Sequence, residues 1–499
     1  MATVAGKLIR ILTILSLGGL IVVHSRFRQS ADTVLAVDCS AQITPDRVAQ
    51  ADATVPAVAP IPQQSVSIVV DLPKNAVLMI ASLDQCAARH GLCVERVCAG
   101  STADCLRDAA LRNDQDSSVF DFRIVDLRTS PLCCVPSEIT AESPTKNHSK
   151  SPFAVPHTDI SIANDGDQRL QRRRFVVPEF HGSGFVDRPV IGHLLFRGES
   201  AQVYAVDGLT SDESELTLTS QRVVELYEKR IGEVVNRRIG RVNDADGDSR
   251  LTFVLCNLSR DETSDCAGAD EPILGCVRAA DYSPESANPC DVVYLHCSIR
   301  SHSELEALLA HELTHAATFS RLANTSQSVF DLPVWLNEAI AHCVERQVSA
   351  QSSNLKNRLQ QFCLKTSEFP IVVPDHGTSL SMRRGPARAA GCLFLETVLA
   401  NLPSTALEEL ISCQGSGVHR LEQVSGRSFP ELMRNWSLNL LSHSENCDCW
   451  NLPLFQPLDL TLTGTAVTWS LPSEKKCRVR ITAAAESQLQ ITVVESGSR

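Results

Sequence analysis

At 499 residues the chain exceeds what one compact core accommodates, so two or three domains are expected. Its 58 acidic and 46 basic side chains give a net charge of −12, and 43% of the residues are hydrophobic. This balance argues against nucleic acid or an anionic membrane surface as a partner and leaves ample apolar material for cores; the basic cluster at Arg172, Arg173 and Arg174 is too short to offset it.

At the N-terminus, Lys7 and Arg10 precede an uncharged apolar run of 13 residues, 11–23. That is the length of an export-signal core, whereas a membrane span needs about 18 apolar residues or more. Residues 1–30 therefore read as a signal peptide or, because Val23-His24-Ser25 makes a poor cleavage site, as an N-terminal membrane anchor. Either makes the protein extracytoplasmic, secreted or anchored through that segment. Residues 31–65, rich in Ala, Pro and Gln, read as a flexible linker.

Residues 66–215 read as a β-rich N-terminal region. Alternating apolar runs at 67–72, 120–127, 175–177, 190–196 and 203–206 mark strands, residues 86–111 carry small side chains at helical spacing, and the polar stretch 136–172 suits a linker or long loop. The period changes near Ser220. Val223, Val224, Tyr227, Ile231, Val234 and Val235 share one helical stripe that Gly240 can terminate. Buried strands follow at 251–256 and 291–297. Ser303 and Glu306 then form a capping-box pair at the head of a long helix, a second helix follows Pro333, and helices dominate residues 354–442. Residues 216–446 form one expected domain, and 447–499, alternating again, a small β module. The 19 cysteines, an odd number, are compatible with disulfides, with structural zinc or with buried thiols, and their connectivity is not readable.

The chemistry is concentrated in Ala310-His311-Glu312-Leu313-Thr314-His315. Residues four apart share a helix face, so His311 and His315 can grip one ion with Glu312 beside it. A catalytic zinc needs a third protein ligand and one open position for water. Pro333-Val334-Trp335-Leu336-Asn337-Glu338 supplies the ligand on the second helix, with 22 residues between His315 and Glu338.

This pairing resembles the gluzincin metallopeptidases, the thermolysin-like superfamily, over residues 220–445, and the Trp-Leu-Asn-Glu-Ala wording is closest to the aminopeptidase and hyicolysin-like branches. The resemblance implies an α+β fold: a catalytic core of a small sheet plus active-site helix, then a helical subdomain, flanked by the N-terminal β-rich region and the C-terminal β module. It implies His311, His315 and Glu338 as ligands of one catalytic Zn2+, Glu312 as general base, and peptides or proteins as substrate. A metzincin arrangement is ruled out, because Thr318 and Arg321 stand where that family has its Gly and third His. Thermolysin-like enzymes carry an acidic residue one turn after the ligand Glu; this chain has His342 there, a candidate partner for a ligand histidine, while Asn337 suits a local backbone role. His376 and His419 are candidates for steadying the oxyanion. Asp244, Asp246 and Asp248 offer carboxylates for Ca2+, although Gly247 comes too early for an EF-hand and a polar turn explains them as well. Two other readings stay open: a catalytically silent zinc-containing binding protein, and a zinc hydrolase of a non-peptide substrate.

Overall fold

The computed structural model describes residues 35–38, 65–86, 89–97, 120–126, 172–181, 184–258, 273–299, 302–375, 385–446 and 454–495, apart from short gaps of one to three positions within the spans from 273 onward. The expected export signal, nearly all of the expected linker, residues 136–171 and His376 lie outside these residues. Among the described residues no helix is long and apolar enough to cross a membrane.

Helices and sheets are both abundant, so the fold is α+β, and its strands fall into a mixed sheet and a sandwich. Five of the strands come early: β1 (Leu35–Asp38), β2 (Ser65–Leu72), β3 (Ala76–Ser82), β4 (Arg89–Val97) and β5 (Phe120–Asp126). Next come β6 (Arg172–His181), β7 (Gly184–Arg197), β8 (Ala201–Val206), helix α1 (Glu213–Leu226), a π-turn (Tyr227–Ile231) and α2 (Gly232–Arg238). The centre holds β9 (Leu251–Cys256), β10 (Ile273–Val277), β11 (Val292–His296), α3 (His302–Asn324) and α4 (Val334–Val348). Then follow α5 (Ser353–Leu364), α6 (Pro386–Leu399), α7 (Ala406–Ser412), α8 (Gly417–Ser425) and α9 (Phe429–Asn446). The chain closes with β12 (Leu454–Phe455), β13 (Asp459–Thr463), β14 (Val467–Ser470), β15 (Cys477–Ala484) and β16 (Leu489–Glu495).

The mixed sheet has the order β1-β10-β11-β9-β8-β7-β6. Every residue of β8, β9 and β11 is buried, as expected of strands covered on both faces. Phe253 and Leu255 pack into the core shared with the helices, while Val254 and Cys256 join Phe175, Tyr204 and Tyr294 on the other face. Helix α3 lies against β10 and β11 and is buried all round from Leu305 to Ser320, so it is the central rod of the molecule rather than a surface helix with one apolar stripe.

Two expectations change here. Where the sequence reading separates an N-terminal β region from a C-terminal β module, strands from both ends share one sandwich, with sheets β12-β14-β3-β16-β5 and β13-β4-β15-β2. Its core interleaves Val70, Ile80, Leu92, Ile481 and Ile491. Strands β6 to β8, in turn, extend the sheet that carries the central helix, so that unit starts near residue 172 instead of 216. The expected helical spacing over 86–111 gives way to strand β4 at residues 89–97, because Leu92 and Val94 alternate into the sandwich core. Leu35–Asp38, inside the expected linker, pairs in parallel with β10.

Other expectations hold. The stripe from Val223 ends at Gly240, whose φ of 123° requires glycine. Helix α4 starts just after Pro333. Helix α3 already begins at His302, one residue before the expected cap Ser303, and the Glu306 carboxylate pairs with Arg230.

The sandwich braces the helical unit. Val77, Met79 and Trp469 point out of it into the main core, and Thr465 Oγ1 accepts the N–H groups of Ile371 (3.0 Å) and Val372 (2.8 Å). Trp469 has 0% of its surface exposed. Trp469→Ala is expected to cost about 3–5 kcal/mol in urea-unfolding experiments, and a cost below about 1 kcal/mol would contradict this packing.

Candidate metal centre

The site is assembled by three helices. On α3, His311 and His315 are one turn apart and direct their Nε2 atoms to within 3.1 Å of each other, with the rings 4.8 Å apart and nearly perpendicular. Helix α4 packs across α3 and delivers Glu338: its Oε2 lies 3.5 Å from His311 Nε2 and its Oε1 3.8 Å from His315 Nε2. Helix α6 adds Arg388, whose Nη1 approaches Glu338 Oε2 to 2.7 Å.

Four bonds of about 2.0–2.1 Å in a tetrahedron separate their ligand atoms by about 3.4 Å. The observed separations of 3.1, 3.5 and 3.8 Å bracket that value. Both Glu338 oxygens are buried and, apart from the approach of Arg388 to Oε2, receive no well-aligned hydrogen bond from a described residue. Buried polar atoms are ordinarily satisfied, so a carboxylate of this kind facing two imidazole Nε2 atoms fits a cation. The three side chains therefore fit a metal ion, in number, spacing and chemistry.

Glu312 is fully buried beside them, and its charge is felt at His311. It is pressed against β10: a Cβ on Gly275 would stand 2.9 Å from Glu312 Cγ and 3.0 Å from its Oε1. Only glycine at residue 275 leaves the Glu312 carboxylate its present place. Asn337 is buried next to Glu338, and its side chain interacts with His315.

The residue that sequence reasoning missed is Glu345. Its Oε2 accepts from His342 Nδ1 at 2.7 Å and from His311 Nδ1 at 3.2 Å, so one carboxylate two turns beyond Glu338 holds a candidate ligand imidazole from behind. The signal was present: Glu338, His342 and Glu345 fall at i, i+4 and i+7 on one helix face. His342 itself also lies within 4.8 Å of the His311 and Glu338 ligand atoms. It is a poor ligand, because Arg358 Nη1 stands 3.0 Å from its Nε2 and Glu345 occupies its Nδ1, leaving neither nitrogen free.

The electrostatics follow from burial and these partners. Burial favours the neutral form of His311, but Glu338, Glu345 and Glu312 outweigh it and push its pKa up to about 9. Burial, helped by the charge on His311, takes His315 down to about 3 and His342 down to about 4. Glu338 and Glu345 are held well below the usual carboxylate range: burial opposes ionisation, and Arg388 with His311 and His315, or His342 with His311, overcomes it.

Other candidates read from the sequence do not join the site. His419 is exposed on α8. Arg321, which stands where a metzincin would have its third His, ties α3 to its neighbours through Glu408 (2.5 Å) and the Ile239 carbonyl (2.8 Å). Asp244, Asp246 and Asp248 cluster within 4.8 Å, but Asp244 accepts the Gly247 and Ser249 amides, Asp246 pairs with Arg173, and Asp248 accepts from Gln202 and Arg250. That is a polar turn held by its own carboxylates, and Ca2+ finds no further support in it. Cys276 is disulfide-bonded, in line with the disulfide reading, whereas buried Cys343 and Cys392 approach only to 3.9 Å and are free thiols.

Comparison with models of protein families and with curated proteins finds no match to this chain. What the protein does is therefore read from its geometry.

A metal ion needs the lone pair of His311, which in the metal-free protein is protonated below pH about 9. Because the folded-state value lies above the ordinary 6.5, the imidazolium stabilises the metal-free fold fully below pH 6.5, and that contribution is lost as pH rises through about 9. The His311 ring ¹⁵N signals of the metal-free protein, held in chelator, should show an imidazolium at pH 7 that deprotonates near pH 9, and a neutral ring at pH 7 once zinc is added. A neutral His311 ring at pH 7 without metal would contradict the clasp of carboxylates around it.

Proposed function

We propose that the protein is an exported zinc-dependent peptidase, in which His311, His315 and Glu338 hold the ion and Glu312 is the general base. The observation that carries this reading is the triangle of His311, His315 and Glu338 ligand atoms, 3.1–3.8 Å on a side, with the Glu312 carboxylate fixed beside it by β10. Two imidazoles and one carboxylate leave a fourth position for water, the donor set of a catalytic rather than a structural zinc site. The spacing of these residues along α3 and α4 is what resembles the gluzincin peptidases.

When bound, zinc supplies a water acidified from a pKa of about 15.7 toward about 7 and a Lewis acid for the scissile carbonyl. The rest of the work belongs to the side chains. Glu312 accepts the proton released as water attacks the carbonyl carbon, and returns it to the amine nitrogen as the C–N bond breaks. Glu345 holds the His311 ring in register from its Nδ1 side, and Arg388 fixes Glu338. A carboxylate in this position has no use in a purely structural site, where it would add a buried charge without a task.

One observation favours the second reading, a metal-holding protein without catalysis: His311, Glu312, His315 and Glu338 are each no more than 1% exposed. Hydrolysis requires the site to open to substrate, so the two readings separate on turnover.

The decisive pair is wild type and Glu312→Gln, each assayed for bound metal and for cleavage of a peptide library. Stoichiometric metal in both, with cleavage lowered about 10²–10⁴-fold in the variant, supports the peptidase. Equal cleavage by both contradicts it, and metal without cleavage in wild type supports the silent protein. Gly275→Ala should act similarly by displacing the base: metal retained, cleavage reduced. Undiminished cleavage would show that Glu312 does not depend on β10.

A further inference from the structure

We propose that Arg358 and His342 form a buried positioning arm that, through Glu345, holds His311 with Nε2 turned to the metal. The arm rests on the metal-site reading above and extends it to two residues outside the ligand set. Arg358 comes from α5, a helix that supplies no ligand, and is 2% exposed; His342 is 0% and Glu345 4% exposed.

Proton bookkeeping along the contacts allows one arrangement. A guanidinium carries donors and no acceptor. The 3.0 Å contact of Arg358 Nη1 with His342 Nε2 therefore makes Nε2 the acceptor, and the ring proton of neutral His342 sits on Nδ1. That N–H points at Glu345 Oε2, 2.7 Å away. The same oxygen faces His311 Nδ1 at 3.2 Å, and a carboxylate only accepts, so His311 also donates from Nδ1. The His311 proton is thereby kept on the far side of the ring, and Nε2 is the atom that meets His315 Nε2 at 3.1 Å and Glu338 at 3.5 Å. The rings of His311 and His342 lie 4.5 Å apart, so reorientation of His342 is felt directly at the ligand.

Burial gives the arm its leverage. In water a lost donor is replaced by solvent, but a His342 freed from Arg358 is left with an unpaired Nε2 lone pair in a low-dielectric interior. Its ring would then shift to find another donor, pulling Nδ1–H out of line with Glu345. Glu345 would turn away, and His311 would lose the partner that fixes its orientation. Contacts of this kind behind a metal ligand are worth about 10–100-fold in affinity.

The test uses the full chain with zinc or cobalt in chelator competition, and the thermal midpoint of the metal-free protein as the structural control. Arg358→Met and His342→Leu should each weaken metal binding about 10-fold or more. His342→Gln should stay within about 3-fold of wild type, because its amide oxygen accepts from Arg358 and its NH₂ donates to Glu345. The histidine ring ¹⁵N signals of the wild type should show His342 as the Nδ1–H tautomer. Should Arg358→Met fail to fold, the His342→Leu and His342→Gln pair still decides. Wild-type affinity in His342→Leu, equal losses in His342→Leu and His342→Gln, or an Nε2–H tautomer overturns the arm while leaving the metal site intact. Absence of metal uptake by the wild type overturns both.

Discussion

One imidazole, His311, is clasped between two carboxylates, with Glu338 on its Nε2 side and Glu345 on its Nδ1 side. Both acids come from α4, so the clasp sets how α4 crosses α3, and it does so in an interior where charge is expensive. A buried ion left without its partner costs about 3–5 kcal/mol, and three such groups meet here. The surrounding helices are recruited to balance them: Arg388 from α6 approaches Glu338, and Arg358 from α5 reaches Glu345 through His342. The helical unit is thus organised around a polar centre that its apolar core encloses. Without metal, the two carboxylates favour a protonated His311; in the proposed zinc-bound form that proton leaves.

The mixed sheet gives the centre its rigid floor. Helix α3 rests on β10 and β11, and at Gly275 the strand comes so close that no side chain can intervene between it and Glu312. The sandwich made from the two ends of the chain backs the helices from the other side through Trp469 and Met79. A cavity of about 520 Å3 lies elsewhere, lined by Tyr227, Glu228, Arg241, Asp291 and others, and it includes none of the four central residues. Asp291 in its wall is pushed up to about 8 by burial and accepts the Ala245 amide, which anchors the aspartate-rich turn.

How much was legible depended on whether a signal was local. His311, Glu312 and His315 could be read because four-residue spacing on a helix is a contact in itself. Glu338 followed because it sits on a second strongly patterned helix. Glu345 was equally local but lay one turn beyond the place where the family resemblance directs attention, and His342 occupied that place. Arg358 and Arg388 left no trace, since each reaches the site from another helix and no spacing rule links them to α3. The sandwich was illegible for the same reason on a larger scale: Ser67 Oγ and Thr482 Oγ1 lie 2.8 Å apart across 415 positions of sequence. Strand alternation revealed the strands at both ends but not their pairing. Over residues 86–111 the small side chains suggested a helical period, but at 89–97 the alternation of Leu92 and Val94 prevailed once a partner sheet was available.

The central claim is that His311, His315 and Glu338 close on one ion. X-ray absorption at the zinc edge of the loaded full-length protein tests it most directly. The predicted result is a first shell of nitrogen and oxygen only, at about 2.0–2.1 Å, with the multiple scattering of two imidazoles. Sulfur scattering at about 2.3 Å, as a site on Cys343 and Cys392 would give, or a first shell without two imidazoles, would contradict it.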